Sequence, residues 1–206
     1  MAVDPQDEIH RIVERVVGRT LGAVPAVPEQ PKAAAPLTPP VEVKAAPIAM
    51  PGHKKIVAIG TDHGGVELKE TLKATLVELG YEVIDCGTNT KDSVDYPDFA
   101  AAVARLVAQG KAWRGVMIDG AGIGSCMAAN KIDGVRAAMC YDYATAVNSR
   151  EHNDANVLTL GAGLIGVNQA KLILKTWLST EFAGGRHAGR VNKIMALESG
   201  VSKDGK

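Results

Sequence analysis

Between about Lys54 and Leu197, short apolar runs alternate with amphipathic segments, and this alternation restricts the chain to few folds. The apolar runs are Lys55 to Gly60, Tyr81 to Asp85, Gly115 to Ile118, Val135 to Met139 and Val157 to Leu160. Such near-continuous runs suit strands that are covered on both faces. Helices are predicted between and after them: Val66 to about Leu79, about Asp98 to Gln109, Ile123 to Lys131, about Tyr143 to Arg150, about Val167 to Thr180, and a last one from about Arg190. The expectation is an α/β protein, a Rossmann-like three-layer αβα sandwich around a five-stranded parallel sheet. In such sheets ligands bind beyond the C-terminal ends of the strands. The residues with useful chemistry are expected to collect there.

The chain before this domain reads differently. Over residues 1–23, Ile9, Ile12, Val13, Val16, Val17 and Leu21 recur at helical spacing. Asp4 can cap this helix, Pro5 fits its first turn and Gly22 can end it. A helix this short needs a partner for its apolar stripe. Residues 24–53 are dense in Pro and Ala, which predicts a semi-extended, disordered linker. The α/β domain is then 54–206.

Charge excludes some functions. Lys and Arg number 23 and Asp and Glu number 23, so no basic stripe argues for nucleic acid or an anionic membrane. No apolar run approaches the ~20 residues of a membrane span. The N-terminus lacks the pattern of a secretory signal. Cys86, Cys126 and Cys140 have no C-x-x-C spacing, so a zinc site or disulfide framework is not expected. They read as thiols of a reducing cytoplasm.

Several short motifs carry chemistry. Thr61-Asp62-His63-Gly64-Gly65 lies between a strand and a helix, where Asp62 and His63 can hold a hydroxyl and a phosphate. Asp62 can equally be a helix cap. Gly120-Ala121-Gly122-Ile123-Gly124-Ser125 is not a dinucleotide fingerprint, because its glycine spacing is wrong and it follows the third strand. It suits an anion or oxyanion nest. Asp119 ends the strand before it, as a ligand-facing carboxylate or a cap. Cys126, in the first turn of the next helix, is a reactive thiol or a packing residue. His152 lies in Arg150-Glu151-His152-Asn153-Asp154, as a proton-transfer group or a core histidine. Arg186 and Arg190 are four apart and can share a helical face toward a phosphate dianion.

The order of these motifs resembles the type B ribose-5-phosphate isomerase and galactose-6-phosphate isomerase family over nearly all of residues 54–197. The segments that carry the resemblance are Gly60 to Lys69, Asp95-Tyr96-Pro97, Gly120 to Gly124 with Ala128-Ala129-Asn130-Lys131, Arg150 to Leu158, and Gly184-Gly185-Arg186-His187 with Arg190. The resemblance implies aldose–ketose isomerisation of a sugar phosphate through an enediol, without metal or organic cofactor. It implies dimers or tetramers with active sites shared between subunits. It places Asp62 on the ring oxygen or a hydroxyl, and His63, Arg186 and Arg190 on the phosphate. Tyr96 and Asn153 would line the sugar site, and His152 would assist ring opening. Gly120, Gly122 and Gly124 would stabilise the enediolate.

Three departures stand out against the family. Asp119 occupies the place of a common cysteine base, while other members use a glutamate where this chain has Ser125. Asp119 is therefore expected to be the base, with Cys126 as the second candidate. Ala121 replaces a common threonine, and Gly163 replaces an arginine common after the fifth strand. The expected substrate is ribose 5-phosphate with ribulose 5-phosphate. A hexose phosphate, or a non-catalytic phosphosugar-binding or scaffold role, remains an alternative. The extension at the front resembles the encapsulation peptides that bring enzymes into bacterial microcompartments. That implies a shell-protein partner for residues 5–22 and a location inside such a compartment.

Overall fold

The computed structural model describes residues 55–198. The helix predicted over 1–23 and the linker predicted over 24–53 lie outside the described residues. Five strands form one parallel sheet in the order β2-β1-β3-β5-β4. They are β1 (Ile56–Thr61), β2 (Glu82–Asp85), β3 (Arg114–Asp119), β4 (Ala137–Met139) and β5 (Val157–Gly161). Six helices accompany them: α1 (Val66–Glu78), α2 (Tyr96–Ala108), α3 (Ile123–Ala129), α4 (Tyr143–Glu151), α5 (Val167–Ser179) and α6 (Arg186–Ala196). The predicted α/β sandwich is the one observed.

The central strands are buried on both faces, so successive residues serve two cores. Val57, Ile59, Val116, Ile118, Leu158 and Leu160 face the core built with α1, α4 and α5. Ala58, Met117 and Val157 face the opposite core, with α2 and α3. The helices meet these faces through apolar residues at helical spacing. In α1 these are Leu68, Leu72 and Leu76, and in α5 Ala170, Ile173, Leu174 and Trp177. Each fully buried Leu or Ile stabilises the fold by roughly 1.5–3 kcal/mol.

Local chemistry sets the element ends. Asp142 and Thr145 form a reciprocal capping box at the start of α4. Pro97 sits in the first turn of α2, so that helix begins at Tyr96, ahead of the expected Asp98. Gly184 and Gly185 adopt φ of +62° and +52°. They turn the chain so that α6 begins at Arg186, four residues before the predicted start. Arg186 and Arg190 therefore share one helix.

One buried cation organises a loop near the site. Lys69 on α1 is fully buried. Its Nζ donates to Asp85 Oδ2 at 2.9 Å, Asn89 Oδ1 at 2.7 Å and the Thr88 carbonyl at 3.1 Å. These bonds compensate its desolvation and hold the β2–α2 loop against α1.

Candidate active site

The candidate residues divide into two groups at opposite ends of the sheet. The first lies beyond the C-terminal ends of β1 and β3. Asp62 follows β1 and is 7% exposed. Its Oδ1 accepts from the Gly64 N–H at 2.9 Å, while Oδ2 has no protein donor among the described residues. A methyl group built on Gly64 would lie 3.3 Å from Asp62 Oδ1 and 3.6 Å from the Gly120 amide nitrogen. The Asp62 carboxylate therefore borders the start of the Gly loop. Above Gly120 the space is open, with no heavy atom within 4 Å of a built Cβ.

His63 is half-buried next to this space. Its Nδ1 accepts from the Val94 N–H at 3.3 Å, which leaves Nε2 free to donate. His63 and Gly64 line a cavity of about 370 Å³ together with Lys91, Ala162, Ile165 and Val167. Tyr96 reaches the Gly loop from α2, and its ring lies so close to Gly124 that a Cβ there would sit 2.5 Å from it. Gly163 lines the same rim without a side chain, and a Cβ there would meet the Gly120 carbonyl at 3.0 Å.

Asp119 caps the start of the Gly loop, the second of the two readings that its position at a strand end allowed. Its Oδ1 accepts from the N–H groups of Ala121, at 2.8 Å, and of Gly122. Its Oδ2 accepts from the Ser125 N–H at 3.0 Å and the Ser125 hydroxyl at 2.5 Å. An ionised carboxylate has about four acceptor positions, and here four donors fill them. The physical reason lies in the start of α3. Its first amides lack intrahelical acceptors, and the nearest carboxylate takes them. The expected anion nest is thus partly occupied from within. Gly122 keeps φ of +78° to make this turn. The Gly120, Ile123 and Gly124 amides are not among those that Asp119 takes.

Cys126 is also poorly suited to be a base. Its Sγ donates to the Ala137 carbonyl at 3.4 Å. Burial pushes the thiol pKa up, with the nearby Asp119 carboxylate adding to the shift. A thiol held neutral is neither a base nor a nucleophile.

The second group lies at the N-terminal edge of the sheet, so the expectation that all site residues gather at the strand C-termini does not hold. His152 is the C-cap of α4, ahead of β5. Its ring stacks on that of His187, with centroids 4.2 Å apart and planes 3° from parallel. Its Nδ1 contacts Asn148 Nδ2 at 2.9 Å. Asn153 donates from Nδ2 to Asn148 Oδ1 at 3.1 Å. Arg186 donates from Nε to His187 Nε2 at 3.4 Å. Arg190 is exposed one turn along α6. Burial, then the charges of His152, Arg186 and Arg190, hold the His187 pKa below the ordinary imidazole value.

The loop carrying His152 and Asn153 is braced by Asp154, a residue that sequence reasoning passed over. Asp154 is left-handed, with φ of 46°. Its two carboxylate oxygens bind Arg150 at 2.8 Å and Arg136 at 2.9 Å. His187 and Asn148 were also missed as partners of His152. Their positions, at i+35 and i−4, gave only the latter as a readable helical neighbour.

The six residues of β3 span roughly 17 Å at about 3.3 Å per residue. His152 and Asp62 of one chain therefore do not meet across a single sugar. Among the described residues no group of three or more His, Cys, Asp or Glu side chains converges on a metal position, and no helix is long and apolar enough to cross a membrane.

Comparison with known proteins gives a consistent answer. Residues 57–194 match the model of the family described as Ribose/Galactose Isomerase. Ribose-5-phosphate isomerase B of Escherichia coli is 46% identical over 144 residues, covering 70% of this chain and 97% of that protein. D-erythrulose-4-phosphate isomerase of Pectobacterium atrosepticum is 42% identical over 139 residues, covering 67% of this chain and 91% of that protein. The solved structure of Clostridium thermocellum ribose-5-phosphate isomerase B superposes with a TM-score of 0.70 at 50% identity, covering 71% of this chain and 99% of that one. With the family model spanning most of the chain, and relatives matched over nearly their whole length, this chain belongs to the Ribose/Galactose Isomerase family.

Proposed function

We propose that the protein is an aldose–ketose isomerase that interconverts ribose 5-phosphate and ribulose 5-phosphate through an enediol. The observation that carries this reading is the seat above Gly120. The Asp62 carboxylate, with one free oxygen, borders the start of the Gly loop, several of whose amides Asp119 does not take, and the space over Gly120 is open. Amides aimed at a developing enediolate oxygen stabilise the charge that proton removal creates. The likeness to proteins named ribose-5-phosphate isomerase B supports the choice of pentose.

In this reading two copies of the chain build each site. His63 of one copy, with Arg186 and Arg190 of the other, holds the phosphate. Two guanidinium groups and an imidazole donor suit a dianion. Tyr96 and Asn153 line the sugar, and His152 assists ring opening. The separation of the two residue groups within one chain supports the shared site. A cavity of about 600 Å³ along β4, lined by Asn130, Asn148, Asn153 and Ile194 among others, offers a face for the second copy.

The test is turnover of a substrate panel: ribose 5-phosphate, D-erythrulose 4-phosphate and a hexose 6-phosphate. The highest kcat/KM is expected on ribose 5-phosphate. Preference for another sugar would reassign the substrate. Tight binding of sugar phosphates without turnover on any of them would make this a binding protein.

The amphipathic pattern in residues 5–22 supports a second, separable proposal, that the enzyme is microcompartment cargo bound to a shell protein. Co-assembly with shell proteins is expected for the full chain and not for one starting at Gly52. Equal co-assembly of both would refute it.

A further inference from the structure

We infer that Asp62 is the catalytic residue that takes the substrate's C2 proton and returns it to C1. The inference rests on the isomerase reading above. It follows from comparing the three groups that border the Gly loop. Asp119 has its four acceptor positions filled by Ala121, Gly122 and Ser125. Cys126 spends its proton on the Ala137 carbonyl. Asp62 alone combines burial with an oxygen that accepts nothing from the protein, and it borders the open space over Gly120.

The geometry of Asp62 suits the task. The single bond from the Gly64 N–H fixes Oδ1 and with it the carboxylate plane. The strand below fixes the backbone, with the Asp62 N–H donating to the Ile118 carbonyl at 3.3 Å. Oδ2 is left without an internal competitor among the described residues.

The step balances without a co-reactant. Oδ2 of Asp62 forms a bond to hydrogen as the C2–H bond of the open-chain aldose breaks. The electron pair enters C1–C2, and the carbonyl π pair moves onto O1, which the Gly-loop amides stabilise. The carboxylic acid then delivers the proton to C1. The O2 hydroxyl proton moves to O1, and the C2 carbonyl forms.

Ribulose 5-phosphate provides a clean test. Its C5 oxygen is phosphorylated, so it has no furanose form and needs no ring opening. The measurement is deuterium entry at C1 from D2O, together with aldose formation, by NMR. It is made on the full-length protein and on Asp62→Asn, Asp119→Asn and Asp62→Ala. Asn at 62 keeps an acceptor for the Gly64 N–H, so the turn is preserved. Binding of ribulose 5-phosphate and the Tm are measured in parallel.

The expected result is a loss of about 10³-fold in exchange for Asp62→Asn, with binding retained. Asp119→Asn loses far less. Formate partly restores Asp62→Ala, which a positioning role would not allow. Exchange by Asp62→Asn within about tenfold of the parent protein would overturn the assignment. So would an Asp119→Asn loss as deep as that of Asp62→Asn with Tm and binding unchanged. A parent protein that neither exchanges nor forms aldose would instead refute the isomerase reading itself.

Discussion

The imidazole of His187 lies face to face with that of His152, 4.2 Å between centroids and 3° from parallel. Arg186 donates to His187 Nε2, which requires that nitrogen to be unprotonated. Both contacts favour a neutral His187, in keeping with its lowered pKa. Below the ordinary imidazole value of 6.5 the unfolded chain therefore binds a proton that the folded one resists. The stability linked to this group is fully present above that value. It declines as the pH falls toward the lower folded pKa. The pH dependence of Tm between about pH 7 and 5 is expected to flatten in His187→Gln.

Asp154 is expected to matter more to the fold than its exposed neighbour Asn153. Asp154→Ala leaves Arg150, which is 4% exposed, without its carboxylate and keeps a left-handed backbone under a Cβ. A loss of about 2–4 kcal/mol is expected by urea unfolding. Asp154→Asn tolerates the same φ and should lose less.

Gly122 tests the packing of the Gly loop on β5. A Cβ there would lie 2.9 Å from the Leu160 carbonyl carbon, at φ of +78°. Backbone does not yield as a side-chain tip does. Gly122→Ala should cost about 2–3 kcal/mol, read as a fall in Tm of several degrees. Gly124→Ala meets only the movable Tyr96 ring. Its effect is expected in KM rather than in Tm.

Cys126→Ala is expected to retain most of the parent kcat on ribose 5-phosphate. The thiol is held protonated against Ala137. Loss of turnover with an unchanged Tm would return the thiol to the chemistry.

Much of this molecule was legible in its sequence. The apolar runs gave all five strands because both faces of a parallel sheet are covered. The Asp62-His63 turn and the Gly loop fell at the strand ends, where the topology requires. Two things were not legible. Asp119 read as a ligand-facing acid or a cap, because a place at a strand end does not say which donors its carboxylate will take. In the fold it turns into the amides of Ala121, Gly122 and Ser125. The motif of His152 looked like part of the same cluster, because motif order hides which edge of the sheet a loop occupies. α4 runs antiparallel to the strands, so its C-cap lies at the far edge.

Mixing two inactive variants tests the shared isomerase site most directly. Asp62→Asn damages the group at the strand C-termini, and His152→Asn the group at the opposite edge. In a hybrid dimer one site carries both changes and the other carries neither. Equimolar subunits, exchanged under mild denaturant and verified by native mass spectrometry, are expected to recover about a quarter of the parent ribose 5-phosphate turnover. Hybrid dimers that form and stay inactive would contradict a site built from two copies of this chain.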